Sequence, residues 1–279
     1  MAPRPQGYCR FCGNPGMTHE HIWNQWLHDL LPMGGSRVES WYVGTADEFE
    51  RPEWYREVIK QGGVHTKSSR KFCGDCNNGW MGSIGEAAKP IATRLIRGEA
   101  TLLNREHQAK LATWLCLMAM VADLQTRMKT RFPDSDREYM YRHRAPPPHW
   151  YVLLGYYVGS AMLPIAFDYS YAATTQDDAG SVRSVVAHSV ANIMGHIFSL
   201  VIVHAPPMPL TERMPIGFHQ DYLAPIHPSL APFVGIAREP ARMITGALMV
   251  NGGLARDLST RYTRAFSAKA REFTKDFGA

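Results

Sequence analysis

Hydrophobic and polar positions change their period along this chain. From Ile22 to Leu31, apolar residues recur as Ile22, Trp23, Trp26, Leu27, Leu30 and Leu31, the spacing of a short amphipathic helix. Residues 32–63 carry mixed charge and glycines around "SWYVG", the pattern of a hairpin or long loop, and Gly62-Gly63 marks a turn before the next strand. Residues 82–129 read as helices. Asn104 is placed to cap "REHQAKLATWLCLMAMVADL", and the dense apolar stretch from Leu111 to Leu124 predicts a buried element. "FPDSD" and "RAPPPHW" bracket a short basic segment, "REYMYRHR", read as a surface helix before it is read as a track for nucleic acid through its Arg and Tyr residues. From Trp150 the pattern turns to short β-rich runs, "WYVLLGYYVG", "PIAFDYSYAAT", "SVRSVVAH" and "HIFSLVIVHA", which suit a mostly antiparallel sheet. Helical signals return in "ARMITGALMVNGGLARDL" and near the C-terminus, where Ser259 or Thr260 would cap a last helix.

The expected fold class is therefore α+β. The reading divides the chain into an N-terminal module over residues 1–90, a helical connection over 91–149 and an α+β domain of unknown role over 150–279. No apolar run reaches the ~18 residues of a membrane-spanning helix, so no membrane partner is expected. The stretch "MAPRPQGYCR" lacks the apolar core of a secretory signal, which points to the cytoplasm. A formal charge of +5 is compatible with a polyanionic partner and says nothing about fold.

Cysteine spacing changes the picture more. Four of the five cysteines form two Cys-x-x-Cys pairs, Cys9/Cys12 and Cys73/Cys76. In a reducing compartment such pairs are metal ligands before they are disulfides. Two thiolates two residues apart come off one tight turn, and two such knuckles supply the four sulfurs of a closed tetrahedral zinc site. A closed site has no open coordination position, so this zinc is structural. Cys116, inside the apolar run, reads as a small core hydrophobe.

The knuckles flank other chemistry. After the first comes Glu20-His21-Ile22-Trp23-Asn24-Gln25-Trp26-Leu27, and the second runs on as Cys73-Gly74-Asp75-Cys76-Asn77-Asn78-Gly79-Trp80-Met81. In this combination the sequence resembles the HNH endonucleases, over roughly residues 7–125. The resemblance implies a zinc-stabilised ββα-metal (treble-clef) core and a metal-dependent endonuclease hydrolysing phosphodiester bonds, most of all in DNA. It implies His21 as general base, Glu20 and Asn77 as ligands of a catalytic Mg²⁺ or other divalent ion, and Asn78 as an orienting group. A neutral imidazole is a competent base near pH 7, and a hard cation prefers carboxylate and carbonyl oxygens. Lys67, Arg70 and Lys71 form a basic run beside the expected site and are candidate phosphate contacts.

The sequence departs from the family pattern at three places. Asn24 stands where the family has proline. No asparagine precedes the second knuckle, leaving His65, Ser68 or Ser69 as substitutes. Gly85 stands where many members carry a glutamate, with Glu86 adjacent. Two alternatives therefore stay open: an inactive zinc module that recognises nucleic acid or protein, and a nuclease effector held off until the C-terminal domain binds a ligand. A homodimer would let two single-strand cutters act on one duplex. His188, His196, His204 and His227 read as core or surface histidines.

Overall fold

The structure is a computed structural model, and it describes residues 7–21, 24–31, 36–43, 54–61, 68–124, 132–157, 165–176, 182–205, 223–237 and 243–244. It combines helices with antiparallel sheets, as expected from the pattern of the chain. The N-terminal part pairs two strands, β1 (Met17–His21) and β4 (Ser68–Cys73), and leads directly into α1 (Gly82–Ile96) through a wide helical turn, Asp75–Met81. Between the paired strands runs a separate antiparallel ribbon, β2 (Ser36–Val43) with β3 (Trp54–Gln61), the hairpin expected for this stretch. The segment after the Glu-His pair winds into a 3₁₀ turn over Gln25–Asp29, shorter than its apolar spacing suggests.

The helical stretch is interrupted once. Thr101–Asn104 is a strand, β5, which pairs with β11 (Phe233–Ile236) far along the chain. The two expected helices, "SIGEAAKPIATRLIRGEA" and "NREHQAKLATWLCLMAMVADLQTRMK", leave residues 101–103 between them, and this strand occupies that gap. "TLLN" is too short to carry a period of its own, and its distant partner decides its state. Asn104 then caps α2 (Arg105–Asp123), its side-chain oxygen accepting from the His107 N–H at 2.8 Å. Every residue from 111 to 124 is buried, as an all-round apolar helix requires.

The sheet runs in the order β10-β6-β9-β8-β7, from β10 (Ala224–His227) through β6 (Trp150–Tyr157), β9 (Ile197–Ala205) and β8 (Val182–Met194) to β7 (Ile165–Gln176). These pairings are all antiparallel. Met243–Ile244, inside a stretch whose pattern suggests helix, is instead a short strand, β12, parallel to Tyr156–Tyr157. The expected C-terminal helix and its cap at Ser259 or Thr260 lie outside the described residues.

One face of the sheet, carrying Trp150, Val152, Leu154, Val201 and Val203, joins the helices and the cysteine pairs in one continuous core. α2 lies between α1 and this sheet. At the end of α2 the buried Asp123 carboxylate takes the guanidinium of Arg137 and the Phe132 N–H. Arg137 belongs to α3 (Asp134–His143), the helix of the basic segment, and also bonds Asp134. Asp134 in turn holds Arg10, between the first two cysteines, at 3.1 Å. An ion-pair chain, part-buried at Arg10–Asp134 and buried at Arg137–Asp123, thus runs from the first knuckle to the end of α2.

The helix leaving the cysteine cluster ends on the sheet. The Ile96 carbonyl, otherwise an orphan of the helix C-terminus, accepts from His196 N–H at 3.1 Å in the β8–β9 turn. Gly195, at φ +56°, makes the approach feasible, because a Cβ there would lie 2.4 Å from that same carbonyl oxygen. The His196 ring stacks on Tyr156 and bonds the Tyr157 carbonyl, so it is a satisfied core histidine. His227 is similar, its ring meeting the Pro147 carbonyl at 3.3 Å. Among the described residues, no helix is long and apolar enough to cross a membrane.

Candidate metal centre and the residues beside it

Cys9 and Cys12 come from a tight loop, closed by Gly13 N–H on the Cys9 carbonyl (2.9 Å) and by Cys9 N–H on the Asn14 carbonyl (2.8 Å). Gly13 sits at φ +80°, the left-handed conformation this turn needs after its second cysteine. Cys73 ends β4 and Cys76 lies in the turn that opens α1. The β1–β4 pairing brings the two loops together, with Arg10 N–H bonded to the Lys71 carbonyl and Gly74 N–H to the Gly16 carbonyl.

The four sulfurs lie within 4.8 Å of one another, and Cys12 and Cys73 are 3.4 Å apart. Tetrahedral zinc with bonds of about 2.3 Å sets its sulfurs about 3.8 Å apart, so the donor set fits such an ion. None of the five cysteines is in a disulfide. The thiols are unlike one another. Burial pushes Cys9 up, but backbone N–H groups of Cys12, Cys73 and Phe11 outweigh it and bring it down to about 7. Burial pushes Cys76 well up, with the sulfurs of Cys9 and Cys12 adding to it. Cys116 is fully buried in α2, where burial raises its thiol as for a core residue.

Aromatic rings hold the cluster from outside. Phe11, between the first cysteines, stacks on Phe72 (5.2 Å) and meets Trp80 edge-on (4.9 Å). Both phenylalanines are fully buried.

Glu20 and His21 end β1 opposite Ser69 and Ser68. The register slips by one residue between Thr18 and Glu20, so that Arg70 and Lys71 of β4 together face His19. Such a bulge turns the end of a strand relative to its start and is common beside functional sites. Glu20 is half-buried, and burial pushes its carboxyl up to about 8. The His21 ring meets His28 edge to face, with centroids 6.1 Å apart. Ser68, one of the three substitutes for the missing asparagine, faces His19 rather than a metal candidate, its hydroxyl 3.4 Å from His19 Nδ1. His65 lies outside the described residues.

Asn77 has a task its spacing did not reveal. Its amide nitrogen donates to Thr18 Oγ1 and to the His19 carbonyl, both at 3.0 Å. It therefore clamps the start of the helical segment to the strand that carries Glu20 and His21, leaving its carbonyl oxygen for other use. Asn78 is exposed, as are Arg70 and Lys71 on β4; Lys67 lies outside the described residues.

Two departures from the family pattern meet in space. The Asn24 side-chain oxygen accepts from the buried Trp114 indole N–H at 2.6 Å, and its amide nitrogen fills the space beside Gly85. A Cβ at Gly85 would stand 2.6 Å from that nitrogen. The asparagine and the glycine are thus complementary. Glu86, the neighbouring carboxylate, is exposed and lies 3.7 Å from Lys89.

No protein-family model, no curated protein and no solved structure matches this chain.

Proposed function

We propose that the chain is a metal-dependent HNH-type endonuclease that hydrolyses phosphodiester bonds of nucleic acid, DNA foremost, on a zinc-stabilised ββα-metal (treble-clef) module. One observation carries the reading. The four-cysteine cluster ties a knuckle, two antiparallel strands and a helix start together, and Asn77 of the helix start is bonded to the strand that ends in Glu20-His21. That arrangement supports a site at this edge of the module, because Asn77 is bonded to the residue that precedes Glu20-His21.

The roles follow from chemistry. Water attack on phosphorus needs a base for the water's proton and positive charge beside the leaving oxygen. His21 takes the proton. The Glu20 carboxylate and the Asn77 side-chain oxygen would hold a hard divalent cation, which supplies the positive charge at the phosphate when bound. Burial disfavours the charge of Glu20 where no cation stands beside it. Asn77 keeps the carboxylate strand at a set distance from the helix start through its two amide bonds. Zinc at Cys9, Cys12, Cys73 and Cys76 is structural, because four sulfurs close its coordination.

The test is cleavage of supercoiled plasmid by zinc-loaded wild type and His21→Ala, with and without added Mg²⁺ or Mn²⁺. We expect metal-dependent nicking that falls about 10²- to 10⁴-fold in the variant at unchanged zinc content. Equal cleavage by the variant would remove His21 from the chemistry. Absence of cleavage of DNA or RNA by zinc-loaded wild type would leave a binding module, or an effector held off by its C-terminal sheet.

A further inference from the structure

We infer that Arg144, on the outer side of the zinc module, is a pre-organised contact for the phosphate backbone of the nucleic acid; this rests on the nuclease reading above. Three observations converge on it. Arg144 terminates α3 with φ 54° and ψ 32°, the only non-glycine residue with positive φ among the described residues. This is the helix-ending position where glycine or asparagine is preferred, because an L side chain is strained there. Strain of this kind persists where the surroundings hold it, and it is enriched at ligand-binding positions.

Second, the guanidinium is already fixed in place. It sits 4.3 Å from the Trp80 ring centroid and 4.6 Å from that of Tyr141. Trp80 is three residues beyond Asn77, in the same turn that supplies Cys76. The order Phe72, Phe11, Trp80, Arg144 forms one chain of contacts from the buried knuckle to solvent. A guanidinium held over a ring by its charge keeps its N–H donors, in a fork that matches phosphate oxygens.

Third, the charge is not otherwise committed. Arg142 is paired with Glu138, and His143 is stacked on Tyr139 at 4.2 Å. The guanidinium of Arg144 makes no ion pair or hydrogen bond within the described residues, and the residue is exposed. Preorganisation of this kind removes the rotamer entropy that a free arginine loses on binding. A mere helix stop would be served better by glycine.

The experiment measures binding apart from cleavage. A fluorescein-labelled duplex of about 20 base pairs is titrated by anisotropy with the zinc-loaded full chain, without Mg²⁺ or Mn²⁺, over a series of salt concentrations. Wild type, Arg144→Gly, Arg144→Lys and Arg142→Ala are compared. Arg144→Gly should weaken binding about 3- to 10-fold and flatten the log–log salt slope by about one, while its melting temperature stays near wild type because glycine suits the backbone. Arg144→Lys should restore the slope and only part of the affinity. Arg142→Ala, whose charge is already paired, should change little.

Binding and slope unchanged in Arg144→Gly, or an equal loss in Arg142→Ala, would overturn the inference while plasmid cleavage by wild type leaves the nuclease reading standing. A wild type that neither binds duplex nor cleaves nucleic acid would overturn both.

Discussion

Replacing Gly85 by alanine tests the packing beside the candidate site, because two effects of opposite sign compete there. Gly85 lies in α1, where alanine in place of an unhindered glycine stabilises by about 1 kcal/mol through helix propensity. The added Cβ, however, would stand 2.6 Å from the Asn24 amide nitrogen and 3.2 Å from its carbon. That is about 0.8 Å inside ordinary van der Waals contact, so the amide must move. Its movement breaks the 2.6 Å bond from Trp114, whose indole is 1% exposed and has no water to turn to. An orphaned buried donor costs about 1–3 kcal/mol, and residual strain about as much again. The clash therefore outweighs the propensity gain, and Gly85→Ala should destabilise by about 1–5 kcal/mol. In an Asn24→Ala background the obstruction is gone, and the same change should become neutral or stabilise by up to about 1 kcal/mol. Urea unfolding of the four proteins with zinc bound, followed by tryptophan fluorescence, gives a coupling of about 1–6 kcal/mol on this account. If Gly85→Ala stabilises the wild-type chain, the Asn24 side chain does not hold this space and the argument fails.

Three further outcomes are expected beside the cleavage and binding tests. Glu20 has its carboxyl raised to about 8 by burial, against an ordinary value of 4.5, so the folded chain holds this proton more tightly than the unfolded one. Its contribution is fully present below about 4.5 and is lost as pH rises through about 8, so stability without added divalent metal should fall over that window. Melting temperatures between pH 5 and 8.5 should show the fall in wild type, less of it in Glu20→Gln, and less with Mg²⁺ or Mn²⁺ present; parallel curves for both proteins would sink the assignment. Cys73→Ser removes one of four sulfurs, and metal analysis should find zinc lost or bound at least ten-fold more weakly. Chelation of the wild type should expose the Phe11–Phe72–Trp80 cluster, seen as a tryptophan emission shift; full zinc occupancy in the variant would argue against a four-sulfur site.

Local chemistry made much of this protein legible in its sequence. Cys-x-x-Cys spacing identifies the four candidate ligands because two thiolates on one tight turn converge whatever surrounds them, and they do lie together. Asn104 announces the start of α2, and the unbroken apolar run of α2 announces its burial, since both signals act within a few residues. Other features needed the tertiary structure. Thr101–Asn104 is a strand because Phe233–Ile236 lies against it, and Met243–Ile244 is a strand because β6 offers its edge; neither partner is visible in a local window. The complementarity of Asn24 and Gly85, the Asn77 clamp on β1 and the seating of Arg144 on Trp80 are contacts between residues whose types permit many neighbours. Spacing selects residues capable of chemistry, whereas long-range packing selects which of them share a site and which are spent holding it together.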